Sequence, residues 1–125
     1  MAAPADLGVL LTLTAQGAGT LTVPITSSQN ARGIKVVIDI TAVGGTPTCT
    51  ITLRGRDSGS GKAFTVLASA ALAAVATTIL TVFPGAKVTA NLSENDQLPA
   101  FFDMTAVVGG TTPSITATIS ANLLP

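Results

Sequence analysis

The sequence predicts an all-β protein, an antiparallel β-sandwich or small barrel of about eight strands. Three observations predict it. Apolar and polar residues alternate with period two in several stretches. Threonine supplies most of the polar positions, and a β-branched residue suits a pleated surface. Clusters of Gly, Pro, Thr and Ser punctuate the alternating runs.

Taken in order, strands are expected at roughly 8–15, 20–26, 33–42, 48–56, 63–68, 77–83, 99–108 and 114–122. In "GIKVVIDIT", Ile34, Val36, Ile38 and Ile40 share one face, and Lys35, Asp39 and Thr41 take the other. In "TCTITLR", Cys49, Ile51 and Leu53 face in, with Thr48, Thr50, Thr52 and Arg54 facing out. In "SITATIS", Ile115, Ala117 and Ile119 alternate with Ser114, Thr116, Thr118 and Ser120. Such alternation fits antiparallel strands with one wet face. "GGTPT" at 44–48 and "GGTTPS" at 109–114 are expected to join successive strands, and Pro84-Gly85 sits where a type II turn wants it. "ASAALAAVA" at 68–76 could be strand, loop or a short helix, because alanine favours helix. With no linker or internal repeat, residues 1–125 form one domain in a jelly-roll or Ig-like arrangement, with residues 1–7 as an extended N-terminal arm.

Composition excludes more than it identifies. Charged residues are 10% of the chain, and six cations balance six acids. There is no basic stripe for nucleic acid backbone. A surface with zero net charge favours association, so much of it is expected to be covered by copies of the chain or by a larger assembly. The absence of histidine removes the commonest general base and metal ligand. The single cysteine, Cys49, can make no disulfide within the chain and falls on an apolar position. Trp and Tyr are absent, which argues against stacking platforms for sugars or single-stranded nucleic acid. The start carries no Lys or Arg before its apolar stretch and is interrupted by Asp6, unlike a secretory signal. The uncharged span 63–86 is apolar enough to suggest a membrane helix, yet its scattered threonines and strand-like ends favour two strands and no membrane.

One stretch invites a catalytic reading. "GRDSGSGKAF" at 55–64 resembles a phosphate-binding loop, G-x-x-x-x-G-K-[ST] between strand and helix. The spacing between Gly55 and Gly61 is one residue too long, Ala63 stands where the metal-binding hydroxyl belongs, and "AFTVLA" reads as a strand. A β-hairpin is therefore expected, with Arg56, Asp57 and Lys62 on its solvated tip. Glu94 and Asp96 in "NLSENDQLP" pair carboxylates that could suggest calcium or glycoside hydrolysis, but such loops are usually solvated turns. Asp103 in "FFDMTAV" faces outward or pairs with an arginine on a neighbouring strand. No catalytic, cofactor or metal residues are expected, and Arg54, Arg56, Asp57 and Lys62 remain as candidate contacts to a partner.

"ITLRGRDSGSGKAFTVLASAAL" and "TTILTVFPGAKVTANLSENDQLPAFFDMTAVVGG" together resemble small virion structural proteins of tailed bacteriophages. The shared pattern is a "G-x-D-x-x-S/G-G-K" hairpin, then "TTxLxVxPG", "AN-L" and "D-x-LP". It rests here on Gly55, Asp57, Gly61, Lys62, Phe64, Thr77, Thr78, Leu80, Val82, Pro84, Gly85, Ala90, Asn91, Asp96, Leu98 and Pro99. The resemblance spans roughly residues 34–125, and its motifs are structural turns. It implies a non-enzymatic β-sandwich component of the particle, a head decoration or cement protein on the capsid surface. The implied partners are the major capsid protein and the chain itself, as a symmetric dimer or trimer. "AFFDM" at 100–104 departs from the tryptophan- and arginine-containing strand of the pattern, which leaves the partner contact there undefined. A tail or baseplate component would share the fold and composition. A receptor-binding module would expose aromatic or charged contacts that are scarce here.

Overall fold

The chain's architecture comes from a computed structural model that describes residues 7–57 and 59–124. The expected N-terminal arm, Leu7 excepted, lies outside the described residues. These residues form seven strands and no helix: β1 (Gly8–Gln16), β2 (Gly19–Ser27), β3 (Gly33–Arg56), β4 (Ala63–Ala68), β5 (Ala76–Val82), β6 (Ser93–Glu94) and β7 (Phe101–Leu124). All belong to one open, mixed sheet, so the all-β expectation holds.

The sheet is organised around β3 and β7, each 24 residues long. They pair antiparallel from Gly33 opposite Leu124 to Gly55 opposite Phe102. Along the free edge of β7 run β1 and then β2, and along the free edge of β3 run β4 and then β5. Residues 17–18 interrupt the first flanking path and residues 69–75 the second. The sheet thus amounts to four long antiparallel paths, each crossing the middle once. The two-residue β6 joins β5 in parallel at Thr81 and Val82.

The middle differs from the sequence reading. "GGTPT" and "GGTTPS" do not separate strands; both lie inside continuous strands, so four expected strands become two. Two bulges lie close by, one in β3 just before "GGTPT" and one in β7 within "GGTTPS". Between the Ile40–Ala117 and Ala42–Thr116 pairs, β3 gains one residue, and between Gly44–Ser114 and Thr46–Thr111, β7 gains one. An extra residue reverses the phase of side-chain alternation and bends the strand. The buried set of β3 accordingly switches from Ile34, Val36, Ile38 and Ile40 to Cys49, Ile51 and Leu53. That of β7 switches from Phe102, Met104, Ala106 and Val108 to Ile115, Ala117, Ile119, Ala121 and Leu123. One face therefore stays apolar across the bend, and both halves feed a single core cluster completed by Leu13, Val23, Leu67, Leu80 and Val82.

Two glycines make the bend possible. Gly45 has φ +67° and Gly110 φ +106°, and a Cβ at either would sit about 2 Å from a carbonyl oxygen of the facing strand, Thr112 or Thr46. The outer segments follow simpler chemistry. Pro84-Gly85 forms the expected turn, with Gly85 at φ +91° and Ala86 N–H donating to Phe83 O at 3.0 Å. The alanine-rich 68–76 is not helical: Leu72 and Cys49 exchange backbone hydrogen bonds of 2.8 Å. The uncharged span that suggested a membrane helix is β4, this connection and β5. Among the described residues no helix is long and apolar enough to cross a membrane.

Candidate functional site

Charge collects at one end of the outer face, where β3 meets β4 and β7. The turn at 57–62 is a hairpin loop between β3 and β4, as expected. Asp57 N–H donates to Lys62 O at 2.9 Å, and Gly61 N–H returns to Asp57 O at 2.8 Å. The Asp57 carboxylate is itself part of the turn: Oδ2 accepts Ser60 N–H at 2.9 Å and Ser60 Oγ–H at 2.7 Å. Hydrogen bonding from the Ser60 hydroxyl, then the Ser60 and Gly59 amides, holds this carboxyl below its usual range. Lys62 is exposed at the tip.

Arg56 departs from the expected tip position. Its side chain folds back onto Asp103, with Nη2 on Oδ2, while Nη1 donates to Gly61 O at 3.2 Å. Arg54, directly opposite Asp103 in the β3–β7 register, grips both carboxylate oxygens through Nε and Nη2 at 2.8 Å each. Two guanidinium groups therefore cover one carboxylate, which is only 1% exposed. The bidentate fork is the geometry that planar arginine favours. Of the two sequence readings for Asp103, pairing with a neighbouring arginine is the one the structure shows. Burial pushes the Asp103 carboxyl up. Hydrogen bonds from Arg54 and Arg56, with their charges, outweigh it and leave the group below its usual range. The bond to Asp103 in turn raises Arg54.

This cluster can do little chemistry. Its carboxylate is committed as an acceptor to two permanent cations, which leaves it poorly placed to take up a proton. Its net charge of one positive unit, with Arg54 and Arg56 each about a quarter exposed (27% and 25%), leaves it able to meet an acidic partner group. The Arg56 Nε is buried with no hydrogen-bond partner among the described residues.

The other candidates lie apart from it. The phosphate-loop likeness dissolves in the structure: β4 stands where such a loop needs a helix. Gly55 is a strand residue whose missing side chain makes room for the Phe64 ring and Pro99, 2.5 and 2.6 Å from where a Cβ would be. Glu94 belongs to β6, and Asp96 Oδ1 accepts Gln97 N–H at 2.8 Å. Among the described residues, no group of three or more His, Cys, Asp or Glu side chains could hold a metal ion. Cys49 is buried, and burial raises its thiol pKa, so it stays protonated and inert.

Sequence reasoning missed the completed cluster because it rests on the non-local Arg54–Asp103 register. The usable signal was an acid at an outward position of one strand and two outward arginines at the end of another. Neither family models, nor characterised proteins, nor solved structures give a match to this chain.

Proposed function

We propose that the chain is a non-enzymatic structural protein of a bacteriophage particle: a capsid decoration or cement protein that binds the major capsid protein as a symmetric oligomer. The observation that carries this reading is what the residues of the phage-like pattern do. Gly55 accommodates Phe64 and Pro99, Asp57 and Gly61 close the β3–β4 hairpin, and Pro84-Gly85 turns the chain after β5. Asn91, at φ +62°, ties its loop to β4 through Ala68 O at 3.1 Å, and Leu98 is buried. Each maintains the scaffold and none presents chemistry. A scaffold of this kind acts by adding interface, and contacts of roughly 800 Å² per partner are enough for each stable junction. Lys62 and the exposed parts of Arg54, Arg56 and Asp57 are the proposed contacts to acidic and polar groups of the capsid.

The test is to make particles without the chain and heat them. Decoration predicts heads that release their contents at a lower temperature, with resistance restored by adding the purified protein. Heads of unchanged heat resistance, with defective tails, would favour the tail or baseplate alternative and overturn this one.

A further inference from the structure

The outer face of the half-sheet formed by β1, β5 and the facing halves of β3 and β7 carries an unusual arrangement. Its central row runs Ile79, Val37, Ser120, Val9 across the four strands. Ile79 is 49% and Val9 60% exposed, so the two ends of the row present apolar surface. On one side lies the row Thr81, Lys35, Asn122, and on the other the row Thr77, Asp39, Thr118, Thr12. Lys35 and Asp39 each stand two residues from Val37, at roughly 6–7 Å along the strand in opposite directions. Neither makes an ion pair among the described residues; Asp39 Oδ1 accepts only the Thr77 hydroxyl, at 3.2 Å.

The same symmetry extends outward. Four residues beyond Ile79 in one direction is Phe83, in a pocket of about 450 Å³ lined by Lys35, Thr81, Phe83, Ala86 and Leu124. The Arg32 guanidinium lies 5.7 Å from the Phe83 ring centre. Four residues from Ile79 in the other direction is Val75, 59% exposed and one position beyond the Ile40–Ala76 pair. An open pocket and an exposed apolar residue thus lie four residues along the chain on either side of Ile79.

We infer that this face is the surface through which two copies of the chain pair, about a two-fold axis lying along the Ile79–Val37–Ser120–Val9 row. A rotation about that axis reverses direction along the strands. It sets Lys35 over the partner's Asp39, Asp39 over the partner's Lys35, and Val75 over the partner's Phe83 pocket. An isologous contact must be self-complementary, and the face meets that requirement in charge. A two-fold axis parallel to the strands would instead stack Lys35 on Lys35, so the charges select one operator. The footprint, four strands wide and nine residues long, is roughly 500 Å² in projection, at the small end of specific interfaces. The dimer is accordingly concentration-dependent.

This inference rests on the self-associating part of the proposed function and not on a place in a particle. It is tested by sedimentation velocity over a range of concentrations on the wild type, Lys35→Asp, Asp39→Lys and the double swap Lys35→Asp/Asp39→Lys. The wild type is expected to dimerise. Each single change weakens the dimer by about 100-fold, because it creates two like-charge contacts per dimer. The double swap restores the dimer, since the two positions exchange signs across the axis. Far-UV circular dichroism checks that each variant is folded, and Ile79→Asp on the axis is a second disrupting change. A wild type that is monomeric at all concentrations overturns the inference and the self-associating reading together. An oligomer untouched by these changes overturns the face alone. Disruption by the single changes without rescue by the double swap overturns the two-fold geometry.

Discussion

Replacing Asp103 by asparagine is the sharpest perturbation of the cluster at the β3–β4 end. The change keeps the shape of the side chain and removes its charge. Arg54 loses a bidentate acceptor, Arg56 loses its carboxylate partner, and two guanidinium groups are left facing each other over a neutral amide. Removing one partner of a fully buried ion pair costs about 3–5 kcal/mol. Here the arginines keep 27% and 25% of their side-chain surface exposed, so water compensates part of that loss. The expected cost is about 2–3 kcal/mol. Urea unfolding reads this as a fall in midpoint of roughly 1–2 M at unchanged slope, and thermal unfolding as a drop of about 6–10 °C. The pH dependence carries an independent signature. The folded-state pKa of Asp103 lies below its ordinary value of 3.8. The unfolded chain thus binds a proton first, and the stabilisation is fully present above pH 4 and disappears as pH falls through the folded value. Wild-type stability should therefore fall more steeply than that of Asp103→Asn below about pH 4. A loss under about 1 kcal/mol at neutral pH, or parallel acid profiles for the two proteins, would refute the view that Asp103 is a desolvated anion held by its arginines.

Other changes test the bend, the core and the loop. Gly45→Ala and Gly110→Ala each put a methyl group against a backbone carbonyl at positive φ and should cost at least 2–3 kcal/mol. Gly17→Ala meets nothing within 4 Å and should be tolerated in chemical unfolding, so equal effects at all three sites would contradict the bend geometry. Met104→Ala removes a fully buried side chain from the shared core and should cost about 2–5 kcal/mol in the same assay. Cys49 should resist a thiol reagent in the folded protein and react fully in urea; rapid labelling without denaturant would show the 68–76 connection open around Leu72. Lys62→Ala should leave the unfolding midpoint unchanged, because its side chain is exposed at the hairpin tip.

The sequence was most informative where local chemistry decides the structure. Alternation placed Ile34, Val36, Ile38 and Ile40 on one face and Cys49, Ile51 and Leu53 on another run, and all seven are buried. Pro84-Gly85 gave the turn, and the spacing after Gly55 gave a hairpin. The misreading of 44–48 and 109–114 has a definite cause. Gly-Gly-Thr-Pro is turn chemistry, and the phase change across it fits either a turn or a bulge in an unbroken ladder. Only the pairing of β3 with β7 along their whole length separates the two, and that is a long-range fact. β6 was invisible because Ser93 and Glu94 have no strand character of their own and pair only because the loop returns beside β5. The alanines of 68–76 promote helix in isolation, yet hydrogen bonds between Leu72 and Cys49 hold the segment extended against β3. Arg56 was placed in solvent by its position beside the turn, whereas a buried carboxylate across the sheet draws it back.

The central claim concerns where the chain works, and an electron-microscopy reconstruction of the phage particle proposed to carry it tests that claim most directly. The account predicts density for this bent sheet in symmetric copies on the outer surface of the head, in contact with the major capsid protein. Density confined to the tail or baseplate, or none in the particle, would contradict it.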